Sequence, residues 1–124
     1  MSTIEIGKKA PAFSGNDQNG VKRTLKEFAG KKLVLYFYPK DDTPGCTAEA
    51  CDLRDNYNKF IAAGYAVVGV SPDEEKKHQK FIAKYELPFD LLADTDHSIA
   101  EAFGVWVEKS MYGRQYMGIA RTTF

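Results

Sequence analysis

Two continuous apolar segments constrain the fold of this chain more than any other feature of its sequence. Residues 33–38 read LVLYFY and residues 66–70 read AVVGV, without a charged or amide side chain in either run. Such runs are typical of strands covered on both faces, as in a parallel sheet, because a strand with one solvated face alternates polar and apolar residues. Residues 89–93 form a shorter third run, and residues 116–124 are predicted to form a fourth strand.

Segments with helix start and stop signals separate these strands. Each begins at a capping residue and ends at a glycine or before a proline, and their spans are 43–64, 71–87 and 95–104. Ser71 and Glu74 have the spacing of a capping box, and Asn19-Gly20 predicts a hairpin between two short strands. The alternation predicts an α/β, thioredoxin-like fold in one domain over residues 1–124, with a mostly parallel central sheet flanked by helices.

Charge and hydropathy exclude several classes of function. The 17 Lys and Arg residues balance 17 Asp and Glu residues, so no net field attracts nucleic acid or anionic lipid. No run approaches the roughly 20 apolar residues of a membrane span. Residues 1–9 lack the apolar block of a signal peptide, so the expected location is the reducing cytoplasm. A structural disulfide has little use there, which makes the two cysteines candidates for chemistry.

Cys46 occupies a position that favours a reactive thiolate. It follows the predicted N-cap Thr43 by three residues, so its backbone N–H is among the unpaired donors of the helix start. The positive end of the helix dipole favours a negative sulfur there. The helix also begins where a central strand ends, and this edge of a parallel sheet is where sites form.

Cys51 lies five residues later in the same predicted helix, away from the apolar stripe that includes Ala50 and Leu53. A structural cysteine is expected on that stripe, so Cys51 is predicted to be accessible. Five helical residues rise about 7.5 Å and turn by roughly 500°, leaving the two side chains about 140° apart. Disulfides rarely join Cα atoms more than about 7 Å apart. A bond between Cys46 and Cys51 therefore requires the first helical turns to unwind.

Other interpretations of the cysteines are weaker. Both residues could be inert buried thiols. A zinc site with His78 and His97 has the wrong spacing, since the histidines lie in different predicted helices. The spacing is also not Cys-x-x-Cys, so simple thioredoxin chemistry is not indicated.

One segment resembles a known family. Residues 39–46, PKDDTPGC, resemble the Pro-x-x-x-Thr/Ser-x-x-Cys signature of the peroxiredoxins. The longer segment 36–51, YFYPKDDTPGCTAEAC, is similar to the bacterioferritin comigratory protein, or peroxiredoxin Q, subfamily. Supporting matches extend the resemblance over nearly the whole chain, at residues 10–13, 69–71, 94, 97 and 111–121.

The resemblance implies a thiol peroxidase that acts on hydrogen peroxide and organic hydroperoxides. It assigns Cys46 as the peroxidatic thiolate and Cys51 as the resolving thiol. It also implies that Thr43 binds the peroxide, Pro39 shields the thiolate and Arg121 orients both. Cys46 would become a sulfenic acid, form a disulfide with Cys51 and be restored by thioredoxin or a similar dithiol.

The resemblance carries further expectations. No metal, haem or flavin is required, and the subfamily expectation is a monomer. Family members continue past the strand that carries the arginine into another strand and a C-terminal helix. This chain ends at Phe124 and is therefore expected to lack both: either it is truncated, or a partner covers the gap, or Phe124 ends only the ordered part of a longer chain. If its mass is 13.9 kDa, low stability and an exposed apolar patch are expected.

Two other features are interpreted from position alone, and for a third, Glu49, the resemblance also implies a partnership with Arg121. His78 shares a helix face with Phe81 and is predicted to be at the edge of the buried side. Glu49 is interpreted first as a carboxylate that interacts with the helix dipole, and less readily as a partner of Arg121. Residues 40–42 are predicted to form a solvated loop.

Two rival functions remain at this stage. One is a protein disulfide oxidoreductase on the same fold. The other is a redox sensor in which oxidation exposes a binding surface.

Overall fold

The structure is a computed structural model that describes Gly7 and residues 10–124. Most of the segment 1–9, for which no signal peptide is expected, lies outside the described residues. Among the described residues, the structure contains eight strands, four α-helices and one short 3₁₀ helix at Leu25–Phe28. In chain order, the strands and α-helices are β1 (Ser14–Asn16), β2 (Lys22–Thr24), β3 (Lys32–Phe37), α1 (Pro44–Asp55), α2 (Tyr57–Ala62), β4 (Tyr65–Ser71), α3 (Glu75–Tyr85), β5 (Asp90–Ala93), α4 (Ser98–Ala102), β6 (Trp106–Met111), β7 (Arg114–Ile119) and β8 (Thr122–Thr123). Within this described part, no helix is long and apolar enough to cross a membrane.

Six strands form one sheet in the order β2-β1-β5-β4-β3-β8. The three central strands are parallel, because β3 pairs with β4 and β4 with β5 in that sense. The strands at both edges run antiparallel to their neighbours. The predicted α/β class with a parallel centre is therefore confirmed, and the Asn19-Gly20 turn joins β1 and β2 as predicted.

The apolar runs become the centre of two cores, one on each face of the sheet. Successive residues of β3 point to opposite faces, so Leu35 and Phe37 enter one core while Tyr36 enters the other. The second core also contains Cys46 and Ala50 of α1. The continuous apolar sequence of β3 thus follows from burial on both faces.

The helices differ from the predictions at their boundaries. The first predicted helix is divided at Asn56, whose side-chain amide donates to the carbonyl of Asp52 at 2.8 Å and competes with the helical pattern. Ser71 does not cap the second helix, because it is the last residue of β4 and α3 begins after Glu74. The third helix begins at Ser98 with the carboxylate of Asp94 accepting from two of its N–H groups.

The predicted fourth strand, residues 116–124, is wrong as one unit. Residues of β7 pair with β6 in a separate two-stranded ribbon. The turn between the two strands is formed by Tyr112 and Gly113, which both have positive φ angles. Beyond it, β8 pairs antiparallel with β3 in the main sheet. Arg121 lies between these two ladders, where the chain passes from one sheet to the other.

Candidate active site

Cys46 is the third residue of α1 and is buried, with 1% of its surface exposed. The helix starts one short loop, residues 38–43, after β3 ends. Its first turn closes where the Thr47 N–H donates to the Thr43 carbonyl at 2.8 Å. The predicted position of Cys46, at a helix start beside the carboxyl end of a central strand, is therefore confirmed.

Arg121 contacts this sulfur although 75 residues separate the two along the chain. Its Nη2 donates to Cys46 Sγ at 3.2 Å. Pairing of Thr122 with Phe37 brings the chain around Arg121 to the end of β3, next to the start of α1. The contact thus depends on the antiparallel addition of β8 to the sheet edge, which no local sequence pattern specifies.

Glu49 orients the same guanidinium. Its Oε1 lies 3.3 Å from Arg121 Nη1, one turn of helix beyond Cys46. Burial raises the pKa of Glu49, and the positive charge of Arg121 offsets part of this rise. The structure corrects the first interpretation of Glu49 as a carboxylate that only complements the helix dipole, because it holds one arm of the arginine fork while the other contacts sulfur.

Burial alone would lower the pKa of Arg121, but its contacts with Cys46 and Glu49 outweigh this and raise the pKa. The guanidinium therefore stays cationic beside the sulfur. Gly45 makes room for it, because a Cβ atom at that position would lie 3.3 Å from Arg121 Nη2. From the sequence, Gly45 is a candidate only through its backbone N–H at the helix start; the need for a small residue there depends on Arg121, which is distant in the chain.

Thr43 occupies the N-cap position as predicted, but its side chain does not cap the helix. Its hydroxyl instead donates to the Lys40 carbonyl at 2.9 Å within the loop. That bond uses the only proton of the hydroxyl and leaves oxygen lone pairs free to accept. Because the hydroxyl accepts from no helical N–H, capping does not limit its use in binding a substrate.

Pro39 begins the loop and is half-buried. It lines an open groove of about 360 Å³ together with Trp106, Tyr116 and Met117 of the β6–β7 ribbon. These neighbours give the groove an apolar wall beside the loop that leads to Cys46. The ribbon was not predicted, because its alternating polar residues carry no buried-strand signal.

Cys51 is half-buried, consistent with its position off the apolar stripe. Both cysteines are free thiols and α1 is continuous from Pro44 to Asp55. The structure thus shows the dithiol state with an intact α1. From helix geometry, a disulfide between the two cysteines is not expected in this state.

The loop itself is less solvated than predicted. Asp41 is 2% exposed and contacts His78, which is fully buried rather than at the edge of its helix face. The sequence pattern marked three polar residues as solvated because it cannot reveal a buried partner contributed by another helix. In the described part of the chain, no three His, Cys, Asp or Glu side chains are grouped so as to hold a metal ion.

The sequence and the fold of this chain are similar to those of known proteins. The profile of the AhpC/TSA family matches residues 6–124. Peroxiredoxin Bcp of Bacillus subtilis (strain 168) is 52% identical over 122 residues, 98% of this chain and 78% of that protein. Peroxiredoxin Bcp of Escherichia coli (strain K12) is 47% identical over 124 residues, 100% of this chain and 80% of that protein.

Solved structures agree with the sequence comparison. Peroxiredoxin Q of Xanthomonas campestris matches with a TM-score of 0.86 at 45% identity, covering 90% of this chain and 71% of that one. These identities are far above the level at which only the fold is shared. The chain therefore belongs to the AhpC/TSA family, as a thiol peroxidase of the Bcp and peroxiredoxin Q type of peroxiredoxin.

Proposed function

We propose that this protein reduces hydrogen peroxide and organic hydroperoxides at Cys46, with Arg121 and Thr43 holding the peroxide. The observation that supports this most directly is the guanidinium donor 3.2 Å from a buried sulfur at a helix start. A positive donor placed there stabilises a negative sulfur. It also faces the oxygen on which negative charge develops as the O–O bond breaks.

The first step transfers one oxygen to sulfur. The Cys46 thiolate attacks one peroxide oxygen, an S–O bond forms and the O–O bond breaks. The leaving oxygen takes up a proton and departs as water or as an alcohol. Cys46 is oxidised to a sulfenic acid, and the peroxide is reduced. Because the Thr43 hydroxyl donates to Lys40, we propose that it accepts the hydrogen bond of the peroxide O–H and so aligns the attack.

The second step uses Cys51. Its thiolate attacks the Cys46 sulfur, an S–S bond forms, the S–O bond breaks and the oxygen leaves as water. A dithiol such as thioredoxin then reduces the disulfide by exchange and is itself oxidised. The half-buried position of Cys51, in contrast to the buried Cys46, supports its assignment as the thiol that moves.

The groove beside Pro39 supports organic hydroperoxides as substrates. Its wall of Trp106, Tyr116 and Met117 offers apolar contact to an alkyl group whose peroxide end reaches the loop. A solved structure of the bacterioferritin comigratory protein of Xanthomonas campestris is reported with insights into the alkyl peroxide reduction activity of that protein. The 44% identity of this chain to that protein supports the same substrate class.

Thiol counting tests the proposal. Treating the reduced protein with one equivalent of hydrogen peroxide should remove both free thiols, because oxidation at Cys46 is followed by condensation with Cys51. The Cys51→Ser variant should lose only one thiol and accumulate a sulfenic acid, which dimedone labelling and peptide mass spectrometry should locate at Cys46. Sustained peroxide consumption should then require added thioredoxin and its reductase, or another dithiol.

Three outcomes would reject parts of the proposal. If peroxide oxidises Cys51 in the matched Cys46→Ser variant as fast as it oxidises the wild-type protein, and dimedone labels Cys51 there, the roles of the two cysteines are reversed. If peroxide oxidises both thiols but no added dithiol supports sustained peroxide consumption, the protein is better described as a redox sensor. Fast reduction of insulin disulfides without peroxide consumption would favour a disulfide oxidoreductase.

Hydrogen exchange tests the helix opening that the disulfide requires. We expect backbone amides of residues 46–55 to exchange at least tenfold faster in the disulfide form than in the dithiol form, because the first turns of α1 must unwind. Amides of α3 provide an internal control and should keep their protection in both states. Equal protection of residues 46–55 in the two states, with the bond confirmed by mass, would contradict this expectation.

A further inference from the structure

A buried acid–base pair joins the loop that carries Pro39 and Thr43 to α3. His78 Nδ1 is 2.6 Å from Asp41 Oδ2, and the two residues are 0% and 2% exposed. Burying a carboxylate and an imidazole is unfavourable unless both are fully hydrogen-bonded. An apolar pair of the same volume would be sufficient for packing alone. Hydrogen bonds are directional, so this pair indicates that the orientation of the loop relative to α3 matters.

The contacts around the pair assign its protons. His78 Nε2 lies 2.9 Å from the Leu92 carbonyl, which can only accept, so Nε2 carries hydrogen. One further proton lies between Nδ1 and Asp41. The Tyr38 hydroxyl donates to Asp41 Oδ1 at 2.5 Å, and burial raises the pKa of Tyr38 so that it keeps its proton. Every polar atom of the pair is thus satisfied in this one arrangement.

Three more contacts tie the loop to the region of α3. The Asp41 N–H donates to Asp73 Oδ2 at 2.6 Å. Asp42, with a φ of 58°, accepts from both Lys84 Nζ and the Tyr85 hydroxyl at 2.8 Å. These contacts hold the two residues between Lys40 and Thr43, and the Lys40 carbonyl accepts the Thr43 hydroxyl. The direction of that hydroxyl therefore depends on the position of the loop. Contacts with α3 and the residue Asp73 before it fix this position, and His78 is itself held by the Leu92 carbonyl of β5.

We propose that the Asp41–His78 pair positions the loop so that Thr43 and Pro39 face the Cys46 sulfur in the geometry for peroxide attack. The inference rests on the proposed peroxidase function and assigns neither residue a contact with substrate. A displacement of about 1 Å in a group that orients a reactant can cost on the order of 100-fold in rate. The pair is thus expected to affect the reaction of Cys46 with peroxide more than its general reactivity.

Three variants separate positioning from folding. Asp41→Ala removes the side-chain bonds to Tyr38 and His78. Asp41→Asn can keep both, since its amide oxygen accepts from Tyr38 and its amide nitrogen donates to a neutral His78. Asp17→Ala is the matched control, because Asp17 is equally buried and accepts from two backbone N–H groups and Arg23 in the distant β1–β2 hairpin.

Two second-order rate constants of Cys46 are measured on each protein well below its melting temperature. One is with hydrogen peroxide, which requires the aligned loop, and the other is with iodoacetamide, which requires only an accessible thiolate. We expect Asp41→Ala to lower the peroxide constant by about 10- to 100-fold and the iodoacetamide constant by less than about threefold. Asp41→Asn should restore the peroxide constant to within about threefold, and Asp17→Ala should leave both constants unchanged.

The results distinguish failure of this inference from failure of the proposed function. A wild-type peroxide constant no larger than that of a free thiol would reject the function. A fast wild-type reaction with an unchanged constant in Asp41→Ala, or an equal loss of both constants, would overturn the positioning role. If Asp41→Ala does not fold, the isosteric Tyr38→Phe tests the same point by leaving Asp41 Oδ1 without its donor. A peroxide constant as high as that of wild type in Tyr38→Phe would then overturn it.

Discussion

Replacing Arg121 with alanine should lower the second-order rate constant of Cys46 with hydrogen peroxide by on the order of 100- to 1,000-fold. The substitution removes the donor at 3.2 Å from the sulfur and leaves Glu49 without its partner. The loss falls mainly in the transition state, because charge on the departing oxygen is greatest there. Stopped-flow measurement with a single equivalent of peroxide reports this constant directly, without interference from the reducing system.

Two matched substitutions sharpen the Arg121 prediction. Arg121→Lys keeps a positive charge but cannot contact Cys46 and Glu49 with one planar fork, so we expect an intermediate loss. Arg23→Ala removes an arginine of similar exposure, 33% against 41%, that pairs with carboxylates at the opposite edge of the sheet. It should retain the wild-type constant. A loss below about threefold in Arg121→Ala would show that the contact with sulfur is not used in the reaction.

Replacing Thr43 with valine should lower the peroxide rate constant by on the order of 100-fold while changing the free energy of unfolding by about 1 kcal/mol or less. The valine is close in shape but cannot accept a hydrogen bond from a peroxide. The stability effect is small because the hydroxyl caps no helical N–H, and only its bond to the Lys40 carbonyl is lost. Urea unfolding and peroxide kinetics on the same preparation measure both quantities.

The conservative variant decides what the hydroxyl contributes. Thr43→Ser retains the oxygen and should keep the rate within about tenfold of wild type, since only the methyl group that restrains the rotamer is lost. If valine and serine reduce the rate equally, the methyl group is needed as much as the hydroxyl, and the hydroxyl alone does not account for the role of Thr43. If Thr43→Val reduces the rate and the stability in proportion, the residue serves the loop structure alone.

Much of the fold could be predicted from the sequence. The burial of β3 and β4 on both faces requires residues that are apolar without interruption, and this pattern is visible in the one-dimensional sequence. Residues 33–38 and 66–70 therefore predicted two strands whose observed ranges differ by one residue at their ends. Helix boundaries were less predictable, because the side chains of Asn56 and Asp94 find backbone partners only in the folded chain.

The residues of the candidate site also divide into those that the local sequence predicts and those that depend on distant partners. Thr43, Cys46 and Cys51 lie within nine positions of one another, and helix geometry alone placed the first two at a helix start and the third on another face. Pro39 and Arg121 were assigned only through resemblance to a family. Glu49 was underrated and Asp41 was wrongly predicted to be solvated, because their partners Arg121 and His78 are distant in sequence.

The sequence by itself determined the class of fold, the position of Cys46 at a helix start and the constraint that an intact helix keeps Cys46 and Cys51 apart. These properties depend on local periodicity and helix geometry, which neighbouring residues set. The tertiary structure decided which charges surround the sulfur and what holds the loop above it. Arg121 reaches Cys46, and His78 reaches Asp41, through pairing and packing between segments far apart in the chain, and only the closed sheet brings those segments together.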